Sequence, residues 1–501
     1  MMKLNYKKTI FVGFAFFLIC TFWQAYDTLV PKILTDKFGM PQTVSGIVMA
    51  LDNILALFLL PFFGALSDRH RGRHGKRTPF IVIGTVIAAI LLMTLSFADN
   101  AQLKNVEAVS RVDDEAALSL LYEESDELDI RFDEKTVKEL FTKEEFTAIR
   151  SNDNTGNYNE YVVPLRQAYA AEKTAASPAP FIFFAVVLLF TLVAMGTFRS
   201  PAVALMPDVT PRPLRSKANA IINLMGAMGG ILVLGLGIVF GTGKPVNALM
   251  SYTTFFGIVA AIMIASLVIF LFKVKEPKLV LEMQEESRAF GITEEDGDEE
   301  ESGGGKLSRE KLVSLLLILA SVVLWFMGYN AVTSKYSVYA GSVLNLDYNA
   351  TLIIAQAAAI VSYVPIGFIS SRFGRKKTIL AGILMLGTAF FAASFMRAGS
   401  SPLVMNALFA LAGIGWATIS VNSYPMVVEL ASGGNVGKYT GFYYTASMAA
   451  QTATPVLSGL LMDTKGMETL FPYATVFLVL AAVTMLLVRH GESKAPKDKN
   501  A

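Results

Sequence analysis

Residues 64–81 read Gly-Ala-Leu-Ser-Asp-Arg-His-Arg-Gly-Arg-His-Gly-Lys-Arg-Thr-Pro-Phe-Ile, a basic loop between two apolar stretches. The stretch before it, 44–66, and the stretch after it, 80–98, each have the length needed to cross a bilayer, about 20 mostly apolar residues. Lys and Arg concentrate in the short cytoplasmic loops of membrane proteins. The loop therefore predicts two membrane helices that are joined on the cytoplasmic side.

The composition of the whole chain extends this interpretation. Of its 501 residues 53% are hydrophobic and only 17% are charged, whereas soluble domains carry about 25% charged residues. This composition excludes an ordinary soluble domain and also disorder, which needs low hydrophobicity and high net charge. The net charge of +2 gives no reason to expect a nucleic-acid partner. One cysteine, Cys20, cannot build a disulfide framework. The expected solvent is a lipid bilayer.

About twelve apolar stretches have the length of a membrane helix, which predicts an all-α polytopic membrane protein. The basic loops and both termini fall on one side if the spans number twelve, so both termini are predicted to be cytoplasmic in a cell-membrane protein. The predicted spans are 10–30, 44–66, 80–98, 181–206, 218–240, 251–272, 312–333, 349–371, 378–396, 403–427, 439–462 and 470–488.

Two polar segments interrupt the spans. The acidic segment 99–180 follows the third span and is predicted to lie outside, with a capping box at Thr142-x-x-Glu145. The segment 274–311 follows the sixth span and contains a flexible acidic linker at 294–305. The predicted organisation is 1–98 for helices 1–3, 99–180 for the insertion, 181–273 for helices 4–6, 274–311 for the linker, 312–490 for helices 7–12 and 491–501 for a cytoplasmic tail.

The two halves of the chain repeat each other at a spacing of about 302–303 residues. The repeated residues pair Trp23 with Trp325, Gly64 with Gly367, and Arg69 with Arg372. They predict two pseudo-symmetric bundles of six helices, with a central cavity and transport by alternating access.

The basic loop also carries a resemblance to a known family. Gly64-x-x-x-Asp68-Arg69-x-x-x-Arg73-x-Gly75-Lys76-Arg77-x-Pro79-Phe80-Ile81 resembles the signature loop of the major facilitator superfamily. Its form is similar to that of the sucrose/proton symporters and the related glycoside–pentoside–hexuronide:cation symporters, and Pro79-Phe80-Ile81 resembles the sucrose group most. The resemblance implies the twelve-helix major facilitator fold and proton-coupled symport of a disaccharide or related glycoside. It covers the twelve spans and leaves the insertion unexplained.

The signature loop also predicts a cytoplasmic gate. Asp68 lies at a helix end among guanidinium groups, and such pairs can latch helix ends in one state and release them in another. The alternative is that the basic residues only set the topology of the chain. The predicted gate residues are Gly64, Asp68, Arg69, Arg73, Gly75, Arg77 and Arg372.

Three ionisable residues fall at membrane depth, where a charge costs about 2.5–3.5 kcal/mol or more. They are Asp27 in span 1, Asp52 in span 2 and Arg199 in span 4. Arg199 can neutralise one carboxylate, and the other can take up and release a proton, so Asp27 and Asp52 are the proton-coupling candidates. By its spacing from Pro207, Arg199 aligns with a functional acid of the melibiose-type symporters, and this departure favours a proton, or no coupling ion at all, over sodium. The alternative is a structural ion pair.

A sugar site needs amides and charged groups for hydroxyls, and aromatic faces for C–H patches. For each candidate the alternative is a helix–helix hydrogen bond or, for Tyr and Trp, an interfacial anchor. The candidate substrate-binding residues are Trp23, Gln24, Asp27, Arg199, Asn223, Trp325, Asn330, Gln356, Asn422, Tyr444 and Gln451.

The sequence contains no P-loop for ATP, and Ser200 has no histidine at membrane depth, so we expect no enzyme, no cofactor and no metal. The expected partners are a small sugar and a proton, and the protein is predicted to be a monomer. Two other functions stay open: an exporter of amphipathic small molecules, and a non-transporting sensor that uses 99–180 as an ectodomain. The first predicts a weakly polar cavity, which the many amides oppose.

Overall fold

The computed structural model describes residues 4–151, 155–211, 214–289, 309–428 and 436–489. The predicted acidic linker 294–305 and the tail 491–501 lie outside this part, and so does the side chain of Arg372.

The described residues form twelve long helices, and each coincides with one predicted span, which confirms the predicted all-α fold. By length and composition, ten of the helices in the described part can cross a membrane. The helices are α1 Tyr6–Lys32, α2 Gln42–Arg69, α3 Thr78–Asn105, α4 Ala179–Asp208, α5 Arg215–Phe240, α6 Thr253–Lys273, α7 Arg309–Tyr339, α8 Tyr348–Phe373, α9 Arg375–Ala393, α10 Pro402–Val428, α11 Val436–Lys465 and α12 Leu470–Leu487.

These helices belong to two compact units. Unit 1 contains α1, α3 to α6 and α2 from Leu51 onward, together with the turn Ala340–Asn349. Unit 2 contains α7 to α12, apart from that turn, together with Gln42–Ala50 at the start of α2. Inside unit 1, α1 packs on α5 and α6, and α3 packs on α4 and α6. Inside unit 2 the same pattern recurs, with α7 on α11 and α12, and α9 on α10 and α12.

α1 and α7 end in the same way. Each continues into a five-residue π-helical segment, Ile33–Lys37 after α1 and Ala340–Leu344 after α7. A residue with a left-handed backbone follows each segment, Gly39 with φ 64° and Asn345 with φ 52°. Glycine is required at 39 because a Cβ there would lie 2.3 Å from the carbonyl oxygen of Gln167. π-helical segments are uncommon in proteins, and those that occur often lie at functional sites.

The insertion is a folded helical unit with its own hydrophobic core. Its short helices include Glu115–Glu124, Lys143–Thr147 and Val163–Ala176. The predicted capping box is confirmed, since Thr142 and Glu145 satisfy each other's backbone N–H groups. The core is formed by fully or nearly fully buried side chains, among them Val106, Leu118, Val137, Phe146, Tyr158, Leu165 and Tyr169.

Candidate functional site

A charged cluster lies half-buried within unit 1. Trp23 and Asp27 are one helical turn apart on α1 and so share a face. The Arg199 guanidinium of α4 lies over the Trp23 ring, with its carbon 5.2 Å from the ring centroid. Asp27, Asp52 and Arg199 interact electrostatically with one another. Helices α1, α2 and α4 therefore bring together the three ionisable residues that the sequence places at membrane depth.

The polar groups of this cluster are only partly satisfied by the protein. Asp52 accepts a hydrogen bond from the Asn53 amide at 2.8 Å. Among the described residues, no carboxylate oxygen lies within 4.0 Å of the Arg199 guanidinium. The buried Nε1 of Trp23 has no acceptor in the same part of the chain. The cluster can therefore accept hydrogen bonds from a ligand, donate to it, or hold a proton, without first breaking a tight internal ion pair.

Unit 2 carries an aromatic platform instead of a charged cluster. The rings of Tyr329 on α7 and Trp416 on α10 are stacked, with centroids 3.7 Å apart and planes at 2°. Phe326 packs edge-on against Trp416 at 5.2 Å. All three side chains are half-buried. Trp416 is absent from the residues that the sequence indicates, although tryptophan occurs only three times in this chain.

The two other α7 candidates lie on different faces of that helix. Trp325 is fully buried, on the face that includes Gly328, where the backbone approaches Ala474 and Leu478 of α12. Asn330 is half-buried, and its buried Nδ2 has no acceptor among the described residues. The structure thus places Trp325 in the packed interior of unit 2 and leaves Asn330 with a donor to offer.

The remaining amide candidates differ in burial and in the hydrogen bonds that they make. Asn422 is buried and donates to the Thr418 carbonyl at 2.9 Å, within its own helix. Gln451 is half-buried and donates to Ser447 at 3.3 Å. Both bonds join residues four apart on one helix, so each amide retains an oxygen that can accept from a neighbour.

Four further candidates have varied surroundings. Gln24 and Gln356 are half-buried and already have interaction partners. Tyr444 is 53% exposed and belongs to an aromatic group with Tyr443, 5.6 Å away between ring centroids. Asn223 is exposed on α5. These positions are compatible with ligand contact, but none of the four lies in the charged cluster or the aromatic platform.

In the basic loop, at the end of unit 1 that lies away from the insertion, Arg77 makes the largest number of hydrogen bonds and ion pairs among the described residues of the loop. Its Nε donates to Asp208 at 2.8 Å, and its guanidinium also pairs with Asp68 and donates to the Ser67 hydroxyl. Arg77 is buried, whereas Asp68 is exposed. One guanidinium therefore ties the end of α2 to the end of α4, with bonds of the charge-assisted kind.

The other predicted gate residues have different surroundings. Arg69 and Arg73 are exposed. A Cβ at Gly64 would lie 2.9 Å from the Ser200 hydroxyl, so glycine permits the close approach of α2 and α4. Gly75 has φ 102°, a conformation that favours glycine.

The sequence gives no indication of the residue that completes this loop. Glu276 opens an amphipathic helix, Glu276–Ala289, that follows α6. Its buried carboxylate accepts hydrogen bonds from the backbone N–H groups of Lys76, Arg77 and Thr78, and from the Thr78 hydroxyl at 2.7 Å. It thereby caps the N-terminus of α3, where unpaired N–H groups and the helix dipole favour a carboxylate. The sequence signal is weak because the two partners lie about 200 residues apart.

The sequence matches one protein family over most of its length and several known proteins over short stretches. The model described as Major Facilitator Superfamily matches residues 12–112, 169–363 and 348–501. A putative glycoside/cation symporter, YagG of Escherichia coli strain K12, is 34% identical over 64 residues, 13% of this chain and 14% of that protein. Sucrose transport protein SUC4 of Arabidopsis thaliana is 32% identical over 63 residues, 13% of this chain and 12% of that protein. Each match therefore spans only a small part of the relative's length.

Solved structures match nearly the full length of the chain. The xylose transporter XylE from E. coli, in an inward-open conformation, matches with a TM-score of 0.61 at 14% identity and covers 98% of both chains. A D-xylose-proton symporter matches with a TM-score of 0.56 at 15% identity, over 97% of this chain and 99% of that one. At these identities the likeness concerns the fold alone.

Proposed function

Because this chain belongs to the major facilitator superfamily and is a multi-pass membrane protein, we propose that it is a secondary transporter that carries a sugar together with a proton by alternating access. The observation that carries the proposal is the cluster of Trp23, Asp27, Asp52 and Arg199 in unit 1. It combines ionisable groups at membrane depth with a buried indole donor that has no acceptor among the described residues. Ionisable groups at membrane depth are costly and commonly mark substrate or ion pathways.

The coupling ion follows from the charges of this cluster. Arg199 interacts electrostatically with both carboxylates. A cation site needs several negative oxygens and is weakened by a fixed positive charge, whereas a proton needs only one carboxylate oxygen. We therefore assign proton uptake and release to Asp27 and Asp52.

Each unit, taken by itself, carries side chains of the kind that bind sugars. The stacked Tyr329 and Trp416 offer an aromatic face for the C–H patches of a sugar ring. Asn330 and Trp23 each offer a donor for a hydroxyl. Gln24, Gln356, Asn422, Tyr444 and Gln451 would add further polar contacts. Relatives named as a glycoside/cation symporter and a sucrose transport protein support a disaccharide or glycoside as the substrate.

The orientation follows from the distribution of basic residues. The loop 69–77 contains Arg69, Arg71, Arg73, Lys76 and Arg77. By the positive-inside rule we place this loop and both termini in the cytoplasm, and the insertion outside the plasma membrane. In this orientation the Arg77 network lies at the cytoplasmic end of unit 1, where it would serve as the cytoplasmic gate.

The experiment that tests the proposal is uptake of labelled sugars by proteoliposomes. A panel of sucrose, other disaccharides and simple glycosides is offered with an inward proton gradient, with no gradient, and with an uncoupler. We expect uptake of at least one disaccharide or glycoside above the external concentration, and loss of this accumulation with uncoupler.

Two outcomes would contradict parts of the proposal. Equilibration that does not depend on the gradient would remove the proton and leave a facilitator. Absence of uptake for the whole panel, with transport of an amphipathic dye instead, would replace the symporter by an exporter.

A further inference from the structure

Helices α8 and α10, both of unit 2, lie side by side and run in the same direction. Near the start of both helices, the Thr351 hydroxyl donates to the side-chain oxygen of Asn406 at 3.1 Å. Further along, a Cβ at Gly413 would lie 2.1 Å from the carbonyl oxygen of Ala355, so the two backbones touch at this point. The contacts advance together along both helices, which shows that the helices are parallel and fixes their register.

This register places three polar or aromatic side chains on one side of the helix pair. Measured from Ala355, which faces α10, Tyr363 is turned by about 80° around α8, since each residue of an α-helix adds about 100°. Measured from Gly413, which faces α8, Trp416 is turned by about 60° and Ser420 by about 20° around α10 in the opposite sense. Because the two helices are parallel and face each other, these opposite rotations lead to the same side of the pair.

Tyr363 and Ser420 meet on this side of the pair. Their hydroxyl groups lie within interaction range of each other. The Ser420 hydroxyl donates to the carbonyl oxygen of Ala417 at 3.2 Å, so toward Tyr363 its oxygen acts as the acceptor. The Tyr363 oxygen therefore keeps lone pairs for a hydroxyl group of a ligand. Tyr363 is 39% exposed, so its ring is also accessible.

The opposite side of α8 has a different character. Val361 is 75% exposed and is turned by about 200° from Tyr363, away from the side that carries Trp416. Gln356 precedes Tyr363 by seven residues, so it lies on nearly the same side of α8 as Tyr363. Amide, hydroxyl and aromatic groups thus share one side of α8 and α10, and this is the side that carries the stacked rings of Tyr329 and Trp416.

From this arrangement we propose that unit 2 carries a second subsite, which binds the second ring of a disaccharide. The stacked Tyr329 and Trp416 receive one ring, and Tyr363 with Ser420 receives the other. Ser420 follows Trp416 by four residues, a rise of about 6 Å along α10, which is comparable with the step between two linked sugar rings. The Tyr363 ring offers a face for C–H groups, and its oxygen accepts from a hydroxyl. The inference rests on the proposed transport of a sugar and deepens it, because it names the residue that distinguishes a two-ring sugar from a one-ring sugar.

Equilibrium binding to the purified protein in lipid nanodiscs tests the subsite without a proton gradient. Sucrose, maltose and lactose are titrated, each beside the methyl glycosides of its two rings. We expect the parent protein to bind at least one of these disaccharides more tightly than either of its methyl glycosides.

The first variant is Tyr363→Leu, in which an apolar side chain without an aromatic face replaces the ring. We expect the Kd for the disaccharide to rise about twofold to tenfold, the range of one aromatic contact. The tighter-binding methyl glycoside should keep the Kd that it has with the parent protein. Tyr363→Phe retains the ring and should recover most of the affinity for the disaccharide. Trp416→Ala should weaken the binding of both kinds of sugar.

Two further variants serve as the control and as an independent test. Val361→Ala changes the same helix on its opposite side and is expected to leave every Kd unchanged. Ser420→Ala removes the hydroxyl beside Tyr363 and is expected to weaken the disaccharide alone, so it tests the subsite even if Tyr363→Leu does not fold. Thermal unfolding shows which variants are folded.

The outcomes separate the subsite from the proposed function. A parent protein that binds disaccharide and methyl glycoside equally well would overturn the subsite and leave sugar binding in place. The same holds if a folded Tyr363→Leu loses affinity for both kinds of sugar equally or for neither, or if Val361→Ala shows the same loss. A parent protein that binds no sugar of the panel would overturn the proposed function, and the subsite with it.

Discussion

Asp27 on α1 and Asn330 on α7 are 303 residues apart, close to the spacing of the internal repeat, and differ only in that a carboxylate in one is a carboxamide in the other. In unit 1 the carboxylate belongs to a charged cluster with Asp52 and Arg199. In unit 2 the amide lies one residue from Tyr329, which stacks on Trp416. The two units therefore share a common helix arrangement but differ in their polar and aromatic side chains, with a charged cluster in unit 1 and a stacked aromatic pair in unit 2.

The largest expected effect comes from removing this difference. Asp27→Asn gives unit 1 the residue of unit 2 and takes away a group that can bind a proton. We expect gradient-driven accumulation of sugar to fall by more than about tenfold, the range of a lost acid–base group. Exchange of labelled for unlabelled sugar, which needs no net proton movement, is expected to continue. Uptake and exchange measured in the same proteoliposomes check this prediction, and equal losses in both would assign Asp27 to sugar binding.

The aromatic side of the comparison is tested at Trp416. Trp416→Ala removes the stacking partner of Tyr329 and is expected to raise the KM for sugar about twofold to tenfold, since an aromatic contact is worth about 0.5–1.5 kcal/mol beyond its buried area. Trp416→Phe retains a ring and is expected to recover most of the affinity. The ratio of uptake with and without the proton gradient should not change in either variant. A changed ratio would contradict the division of roles between the units.

The two units also differ in the side chain that ties together the ends of their helices. In unit 1 the buried Glu276 carboxylate ties the start of α3 to the segment after α6. In unit 2 the Lys376 ammonium ties the start of α9 to the end of α12 through the carbonyls of Leu486 and Val488. Glu276→Ala leaves buried N–H groups unpaired, so we expect a loss of about 1–3 kcal/mol. Lys376→Met is expected to cost less, because water replaces its more exposed bonds.

Thermal unfolding in detergent, followed by tryptophan fluorescence, measures both variants. A Lys376→Met variant that unfolds earlier than Glu276→Ala would reverse the expected order. Glu276→Gln, which keeps acceptor capacity but loses charge, should fall between the parent protein and Glu276→Ala.

The smallest expected effect is an acid response of the insertion. The backbone N–H and the hydroxyl of Thr142 donate to the Glu145 carboxylate and hold its pKa below the usual value. A carboxyl whose pKa is lowered by folding stabilises the fold above its unfolded pKa, about 4.3, and loses this contribution as the pH falls through the folded pKa. Hydrogen exchange of residues 137–151 should therefore be unchanged from pH 7 to about pH 5 and rise below about pH 4. Glu145→Gln should remove most of this pH dependence.

Much of this architecture can be predicted because its causes are local along the chain. In lipid every backbone polar group must be bonded internally, so a run of about 20 apolar residues becomes a helix whatever its neighbours are. The capping box at Thr142 and Glu145 spans three residues and is equally evident from the residue types. The cost of a charge in lipid makes Asp27, Asp52 and Arg199 conspicuous by their position in apolar stretches alone.

The contacts that depend on folding cannot be predicted in this way. Trp416 stacks on the Tyr329 ring, and Glu276 accepts hydrogen bonds from N–H groups at the start of α3. Asn345 donates a hydrogen bond to a carbonyl of the insertion. Each partner lies tens to hundreds of residues away, and the residue types involved have no fixed spacing. Hydropathy and local pattern thus set where the chain crosses the membrane and which charges it keeps there, whereas packing selects which distant side chains meet, because a hydrogen bond or ring contact forms only at short range and in one orientation.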